Sequence, residues 1–106
     1  MYTLTYFNAS VRARLQRWPH GLKARYLALA LRMQVHGPNL GMPHTRPMGA
    51  GLFEVRAKSI DVIGRAFFCA LSGRRIVILH EFIKKSEKTP AREIRLARTR
   101  MKEITP

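Results

Sequence analysis

Three consecutive segments in the second half of the chain have the residue pattern of β-strands, and they limit the folds open to it. In the first segment, Phe53, Val55 and Ala57 alternate with charged residues, which is typical of a strand with one buried face. Residues 63–71 and 76–83 are almost wholly apolar, which is typical of strands buried in a sheet. Polar side chains interrupt these two segments at Arg65, His80 and Glu81. The sequence therefore predicts neighbouring strands over this region.

The connection between the last two strands determines how they pair. The Ser-Gly dipeptide at 72–73 suits a tight hairpin turn between antiparallel strands. A two-residue turn would place Leu71 opposite Arg74. Counting back from that pair places Arg65 opposite His80, so we expect these two residues to be neighbours across the strands.

The first half of the chain has helical periodicity after a short opening strand. Residues 2–7 alternate and are rich in aromatic and β-branched types, which predicts a strand. A short helix follows, capped by Asn8 or Ser10 and ended by Pro19. A longer helix is predicted over residues 20–36, stopped by the Gly-Pro pair that follows. Its apolar stripe consists of Leu22, Tyr26, Leu29, Ala30 and Met33.

The remaining segments complete a small α+β pattern. Residues 37–51 hold four Gly and three Pro, a density that predicts a loop. A final helix is predicted to begin at Thr89 and Pro90, with Thr89 as its N-cap. Its inward residues are Ile94, Ala97, Met101 and Ile104. We therefore expect one α+β domain over residues 1–106, with the helices on one face of a twisted antiparallel sheet and the cations on the other.

The charge of the chain points to a polyanionic or acidic partner. Twenty Lys and Arg residues face six Asp and Glu residues, giving a formal net charge of +14. Fourteen of the cations are Arg, whose planar fork of donors matches phosphate oxygens, and no acidic residue precedes Glu54. Nucleic acid is the first candidate partner. An acidic membrane surface is disfavoured because the cations do not gather on one amphipathic helix.

Several other functions lack their sequence signatures. The one cysteine, Cys69, lies in an apolar strand and is interpreted as a buried small side chain. The four histidines have no metal-ligand spacing, and the glycine-rich loop of nucleotide hydrolases is absent, so we expect no metal and no cofactor. No apolar run reaches the roughly 18 residues of a membrane span. The beginning of the chain does not resemble a signal peptide, so the expected location is the cytoplasm.

A cationic site without metal can still cleave RNA, because the 2′-hydroxyl of RNA can serve as the nucleophile. Such a site needs a base for that hydroxyl, cations for the transition state and an acid for the departing 5′-oxygen. Arginine holds charge but is a poor proton shuttle. A lysine can move protons where neighbouring cations favour its neutral form, and histidine does so near neutral pH.

Four motifs occur in order at compatible spacing. They are Gly51-Leu-Phe-Glu-Val-Arg56, then Gly64-Arg65-Ala-Phe-Phe68, then Arg75-Ile-Val-Ile-Leu-His-Glu-Phe-Ile-Lys-Lys85, and finally Lys88-Thr-Pro90 followed by Arg92-Glu-Ile94. Over residues 50–103 the chain resembles the phage-related, HigB-like branch of the RelE/ParE toxin superfamily. The resemblance implies a small α+β toxin that cuts mRNA in the ribosomal A site without metal and leaves a cyclic phosphate. It also implies a cognate antitoxin, for this branch commonly a helix-turn-helix protein encoded beside the toxin.

The resemblance assigns roles residue by residue. Arg65 matches the arginine expected to stabilise the transition state, and Lys84 and Lys85 match a basic pair with a cation or proton-transfer role. His80 fits a motif of the branch, and we assign it a possible place among the proton-transfer groups from its chemistry. The expected RNA and phosphate contacts are Arg56, Lys58, Lys88 and Arg92.

The chain also departs from the family pattern. Gly64 stands where an aromatic residue often precedes the arginine, and Phe68 stands where the branch often has tyrosine. No tyrosine occurs near the end of the chain. Lysine or histidine would therefore have to act as the base. The open alternatives are a ParE-type gyrase poison, a non-enzymatic ribosome- or nucleic-acid-binding protein, and an inactive copy of a toxin.

Overall fold

The computed structural model describes residues 1–85 and 88–106. The elements in chain order are β1 (Thr3–Tyr6), α1 (Ala9–Gln16), α2 (His20–His36), β2 (Thr45–Gly49), β3 (Leu52–Lys58), β4 (Ile63–Leu71), β5 (Arg75–Lys84) and α3 (Ala91–Ile104). The α+β class, the opening strand, the two N-terminal helices, the three consecutive strands and the final helix are thereby confirmed. None of the helices in the described part of the chain is long and apolar enough to cross a membrane.

The strands form one mixed sheet in the order β1-β5-β4-β3-β2. β3, β4 and β5 pair antiparallel, as the sequence predicted, and β2 adds an antiparallel edge strand that the sequence did not predict. β1 pairs in parallel with β5 at the edge of the sheet, so that Thr3 is opposite Arg75 and Tyr6 is opposite Ile78. The connection through α1 and α2 carries the chain from β1 at one edge of the sheet to β2 at the other edge. The long connection between β1 and β5 permits their parallel pairing.

The helices cover both faces of the sheet, so the prediction that they lie on one face is wrong. On one face, α1 and α2 pack against side chains that include Val55, Ala66, Phe68 and Ile78. On the opposite face, α3 packs against a second cluster that includes Leu52, Phe67, Cys69, Val77 and Leu79. Because successive strand residues point to opposite faces, the continuous apolar runs of β4 and β5 require cover on both sides.

The segment predicted as a loop contains strand β2, so that prediction is wrong for residues 45–49. β2 is an edge strand, and its register with β3 shifts between Pro47 and Gly49. An edge strand tolerates a proline because one side of its backbone has no strand to bond. The density of Gly and Pro therefore marks an irregular edge here.

The predicted pairing of β4 with β5 is wrong. The turn has three residues, and Leu71 is opposite Arg75 because both Gly73 and Arg74 adopt positive φ. A register shift between Phe67 and Phe68 adds a bulge. As a result, Arg65 is opposite Phe82, while His80 is opposite Phe67 (both pairs lie on the α3 side of the sheet).

Two of the helix caps test the sequence predictions directly. The Asn8 side chain accepts a hydrogen bond from the Val11 amide at 2.9 Å, which confirms Asn8 as the N-cap of α1. In α3 the N-cap is Pro90 and no side chain caps the helix, so the prediction of Thr89 as N-cap is wrong. The Thr89 hydroxyl instead donates to Oε2 of Glu54 at 3.0 Å.

Candidate functional site

The buried carboxylate of Glu54 is the centre of a cation cluster on the α3 side of the sheet. Arg56 donates from Nε to Oε1 at 2.9 Å, and an Arg46 guanidinium nitrogen lies 3.6 Å from the same oxygen. Arg65 Nε lies 3.9 Å from Oε2, which also accepts the hydrogen bond of Thr89. Among the described residues, three guanidinium groups thus surround one carboxylate. The excess of positive charge is what a phosphate-binding site needs.

Sheet register explains why these side chains meet. Arg46, Glu54 and Phe67 are successive partners across β2, β3 and β4, and Arg56 is opposite Arg65 one step further along the same face. Two arginines directly opposite each other repel. The fully buried Glu54 offsets that repulsion, because its carboxylate contacts both of them.

Arg65 is fully buried. Its guanidinium carbon lies 5.8 Å from the centre of the Phe82 ring, and Nη1 donates to the Lys88 carbonyl oxygen at 3.2 Å. The sheet, the ring and the segment that leads into α3 therefore hold this guanidinium in one position. It adds fixed positive charge beneath the exposed cations.

His80 is also buried and forms part of the packing beneath α3. Its Nε2 donates to Oε1 of Glu93 at 3.0 Å, and its ring stacks with the rings of Phe67 and Phe82. The hydrogen bond connects β5 to the first turn of α3. In this arrangement the geometry of His80 supports the docking of the helix.

The lysines of the candidate site lie at the end of the sheet. Lys58 and Lys84 are both opposite Ile63 in the register, one on each neighbouring strand, and both are exposed. Lys85 and Lys88 are exposed at the end of β5 and before α3. These ammonium groups are therefore close in the fold to the arginine cluster and accessible to solvent. Arg92 is exposed in the first turn of α3 and is not among the described contacts of Glu54.

The two departures from the family pattern have physical explanations in the structure. A Cβ at Gly64 would lie 2.5 Å from the Trp18 ring, so the indole occupies the room that a larger residue would need. Phe68 is buried on the α1 and α2 face, stacked on Phe53 with ring centres 5.5 Å apart. A tyrosine hydroxyl at position 68 would face away from Arg65, so phenylalanine there removes no group from the cluster.

Other polar and reactive groups belong to the packing. The Trp18 indole donates to Oε2 of Glu81 at 2.7 Å, and Arg14 pairs with the other oxygen at 2.6 Å. Burial raises the pKa of the Cys69 thiol, which makes it a weak nucleophile and agrees with its interpretation as a core residue. In residues 1–85 and 88–106, no three His, Cys, Asp or Glu side chains cluster in a way that could hold a metal ion.

The sequence analysis missed the role of Glu54. Its alternation with Arg56 and Lys58 suggested a solvated strand face, whereas the carboxylate is fully buried. One signal was available: Glu54 is the first acidic residue of a chain that has seven Lys and Arg residues before it. A lone carboxylate in such a sequence is an obvious partner for arginines, although the identity of those partners depends on strand register.

The fold is RelE-like. Over 98% of both chains, it matches a double mutant of the Escherichia coli toxin RelE in the free state, with a TM-score of 0.64 and 8% sequence identity. It also matches the archaeal RelE–RelB complex from Pyrococcus horikoshii OT3 over 83% of this chain and 98% of that chain, with a TM-score of 0.52 and 18% identity. No protein of curated function matches the sequence.

The sequence itself carries the family assignment. The profile described as "Phage derived protein Gp49-like" matches residues 13–102, which extend from α1 to the last turn of α3. The matched range includes the Glu54 cluster and the lysines at the end of the sheet. This chain therefore belongs to the phage-derived Gp49-like family.

Proposed function

We propose that this protein is the toxin of a type II toxin–antitoxin pair and that it cleaves mRNA on the ribosome without a metal ion. The observation that carries the proposal is the cluster of Arg46, Arg56 and Arg65 around the buried Glu54. The cluster lies beside the exposed lysines at the end of the sheet. Fixed guanidinium groups next to accessible ammonium groups meet the needs of phosphodiester transesterification.

The proposed reaction uses the 2′-hydroxyl of the substrate as nucleophile. Its oxygen attacks phosphorus, its proton passes to a base, and the bond from phosphorus to the 5′-oxygen breaks. A proton from an acid neutralises the departing 5′-oxygen, and the other product is a 2′,3′-cyclic phosphate. Water and metal ions are not consumed.

Exposure divides the candidate residues between these roles. Lys84 and Lys85 are the proposed proton-transfer groups, because they are exposed and lie next to the arginine cluster. Arg56 is the proposed phosphate ligand at the surface. Arg65 contributes fixed positive charge from below, because its guanidinium is fully buried and bonded to the Lys88 carbonyl. His80 is assigned a positioning role, through its hydrogen bond to Glu93.

The remaining RNA contacts are assigned to Lys58, Lys88 and Arg92, which are exposed on this side of the molecule. The proposed antitoxin is a protein encoded next to the toxin, for this branch a helix-turn-helix protein. The net charge of +14 favours an acidic segment in that partner. Action on translating ribosomes implies a cytoplasmic protein.

Primer extension on mRNA from induced cells tests this proposal. New 5′ ends are expected within translated regions soon after induction, and they should disappear when ribosomes are kept off the message. Pulse labelling separates the alternatives: a gyrase poison stops DNA synthesis before protein synthesis. A non-enzymatic binder or an inactive copy leaves the message intact, and that outcome would overturn the proposed activity.

A further inference from the structure

A second cationic site lies at the edge of the sheet, between α2 and the end of β3, while the Glu54 cluster is on the α3 face. It is a pocket of about 390 Å³. α2 lines it with Arg25, Ala28, Leu29 and Arg32, whose spacing of three, four and seven residues places them on one helix face. The other walls are Pro43, His44, Arg56, Ala57, Lys58 and Ile63.

The pocket exists because the edge strand β2 does not extend along the end of β3. The first residue of β2, Thr45, is opposite Val55, so residues 56–58 have no strand beyond them on that side. The chain before β2 turns away instead, and the Arg56 amide donates to the His44 carbonyl at 2.9 Å. The small side chains of Ala28 and Ala57 leave the space between helix and strand open.

Hydrogen bonds within residues 39–45 hold the part of the pocket wall that His44 forms. The Gly41 amide donates to the Thr45 hydroxyl at 2.9 Å, and that hydroxyl donates to Asn39 Oδ1 at 3.0 Å. The Thr45 amide donates a hydrogen bond to the Gly41 carbonyl at 3.0 Å. The pocket therefore has a preformed wall, as small-molecule sites commonly do.

The charge around the pocket is of one sign. No acidic residue is among the described side chains that line it. Arg25 and Arg32 are exposed on α2, and neither side chain forms an ion pair or hydrogen bond with the part of the chain that the structure describes. Alanine, leucine, proline and isoleucine side chains supply an apolar floor between these cations.

Arg56 connects the pocket to the proposed phosphate site. It lines the pocket and donates from Nε to Glu54 Oε1, the carboxylate that also contacts Arg65. Because β2 leaves the end of β3 uncovered, a polyanion bound at Arg56 can pass around this edge of the sheet from the Glu54 cluster to the pocket. Apolar surface between arginines suits a nucleobase with its phosphate, since bases stack on guanidinium planes and apolar groups.

We propose that this pocket binds one nucleotide of the RNA strand next to the phosphate that is cut. The base rests on Ala28, Leu29 and Ala57, and Arg25 and Arg32 hold the phosphate attached to that nucleotide. The RNA-strand assignment rests on the proposed function. The pocket's volume lies within the range of about 300 to 1,000 Å³ that is usual for small ligands.

Binding can be tested without cleavage, by NMR titration of the full chain with each of the four nucleoside 5′-monophosphates. The expected result is that nucleotides shift the methyl signals of Ala28 and Ala57 together with the Arg25 and Arg32 side-chain signals. Inorganic phosphate should shift the arginine signals alone. Methyl signals that stay unchanged at millimolar nucleotide would overturn the proposal, whatever the outcome for cleavage.

Matched variants separate the pocket from general charge. Arg25→Ala/Arg32→Ala is expected to weaken binding of a short single-stranded RNA about tenfold, with 2′-O-methyl groups preventing cleavage. Arg17→Ala/Arg95→Ala removes the same charge from exposed positions outside the pocket. At the same salt concentration, it should weaken binding of this RNA less than threefold. Equal losses in the two double variants would overturn the proposal.

A third variant distinguishes this proposal from the proposed activity. Ala28→Phe fills the pocket from an exposed helix position and leaves every cation in place. If the chain is a ribosome-dependent nuclease, the variant should still cut mRNA but with an altered distribution of bases next to the cut. An unaltered distribution with cleavage intact overturns the pocket assignment alone. Absence of cleavage in the parent protein overturns the proposed function, while the nucleotide titration still decides the pocket.

Discussion

The Nε atom of Arg65 lies 3.9 Å from a carboxylate oxygen of Glu54, and both side chains are fully buried. Glu54 keeps its contacts with Arg46 and Arg56 if Arg65 is removed. Removing Glu54 instead takes away the carboxylate that faces the buried Arg65 guanidinium, at a cost of about 3 kcal/mol. This pair therefore contributes to folding as well as to the proposed chemistry. A substitution at either position should therefore be tested for its effect on stability and for its effect on cleavage.

For Arg65→Ala, we expect the free energy of unfolding to fall by about 3 kcal/mol, because a fully buried side chain is replaced by a cavity, and we expect growth arrest to be lost. Arg65→Met fills most of that space without a charge and leaves Glu54 paired with Arg56, so it should regain most of that stability, as urea denaturation can measure. It should not regain toxicity, because the fixed positive charge is absent. A stable Arg65→Met variant that still arrests growth would contradict the assignment of Arg65.

The exposed lysines should separate chemistry from stability. Lys84→Ala/Lys85→Ala is expected to change the free energy of unfolding by less than about 0.5 kcal/mol. It should lower the cleavage rate at least 100-fold, because proton-transfer groups commonly contribute that much. Lys23→Ala/Lys102→Ala is the charge-matched control and should retain nearly full activity. If both pairs reduce cleavage equally, the lysines act only through net charge.

Unlike these lysines, His80 is expected to affect mainly the free energy of unfolding and to affect cleavage only through the position of α3. His80→Ala removes the hydrogen bond to Glu93 and a ring that packs against two phenylalanines, so it should lower the free energy of unfolding by about 2 kcal/mol. His80→Gln retains a hydrogen-bond donor and should restore part of the stability and of the cleavage activity. A folded His80→Gln protein with no cleavage would instead make His80 a proton-transfer group.

Gly64 should tolerate no side chain while Trp18 is in place. In Gly64→Ala the new methyl group would lie 2.5 and 2.7 Å from two atoms of the Trp18 ring, which we expect to cost about 2 kcal/mol. Gly21→Ala is the control, since nothing lies within 4 Å of that position on α2, and it should raise stability by about 0.5 to 1 kcal/mol. Thermal denaturation of both variants tests the comparison.

Stability should decrease in alkaline solution through Tyr26. Burial, with the Tyr6 hydroxyl 3.2 Å away, raises the pKa of the Tyr26 phenol above its ordinary value of 10.0. The unfolded chain therefore loses this proton first, so the stabilisation is complete below pH 10 and is lost as the pH rises above it. The slope contributed is up to about 1.4 kcal/mol per pH unit. Tyr26→Phe should lack this contribution when denaturation curves are compared between pH 9 and pH 11.

The sequence predicted those parts of the fold that local pattern controls. The helical stripe from Leu22 to Met33 and the apolar strands have strong periodicity, and the structure confirms both. Strand β2 has no such pattern, because an irregular edge strand needs only backbone partners. The pairing of Arg65 depended on the turn length and on a bulge, and neither has a clear residue signature.

The charged residues of the candidate site were predictable from the sequence, but the contacts between their side chains were not. Arg56, Arg65, Lys84 and Lys85 were identified from residue type and order. The structure places Arg56 opposite Arg65, with Lys84 and Lys85 at the end of β5, at the same end of the sheet. The contacts of Glu54 with arginines on three strands, and the hydrogen bond it accepts from Thr89, depend on pairings between distant parts of the chain. The roles of these residues in catalysis stay predictions.

The parallel pairing of β1 with β5 has a consequence for synthesis of the chain. The strand made first finds its partner only when residues 75–78 have been made, and β5 is also the partner of β4. Until then the sheet of the growing polypeptide is incomplete, because contacts between segments that are distant in sequence form late. A nuclease built in this order would have no cutting surface until β5 has been made, so that the nascent chain would be inactive while the earlier strands are synthesised.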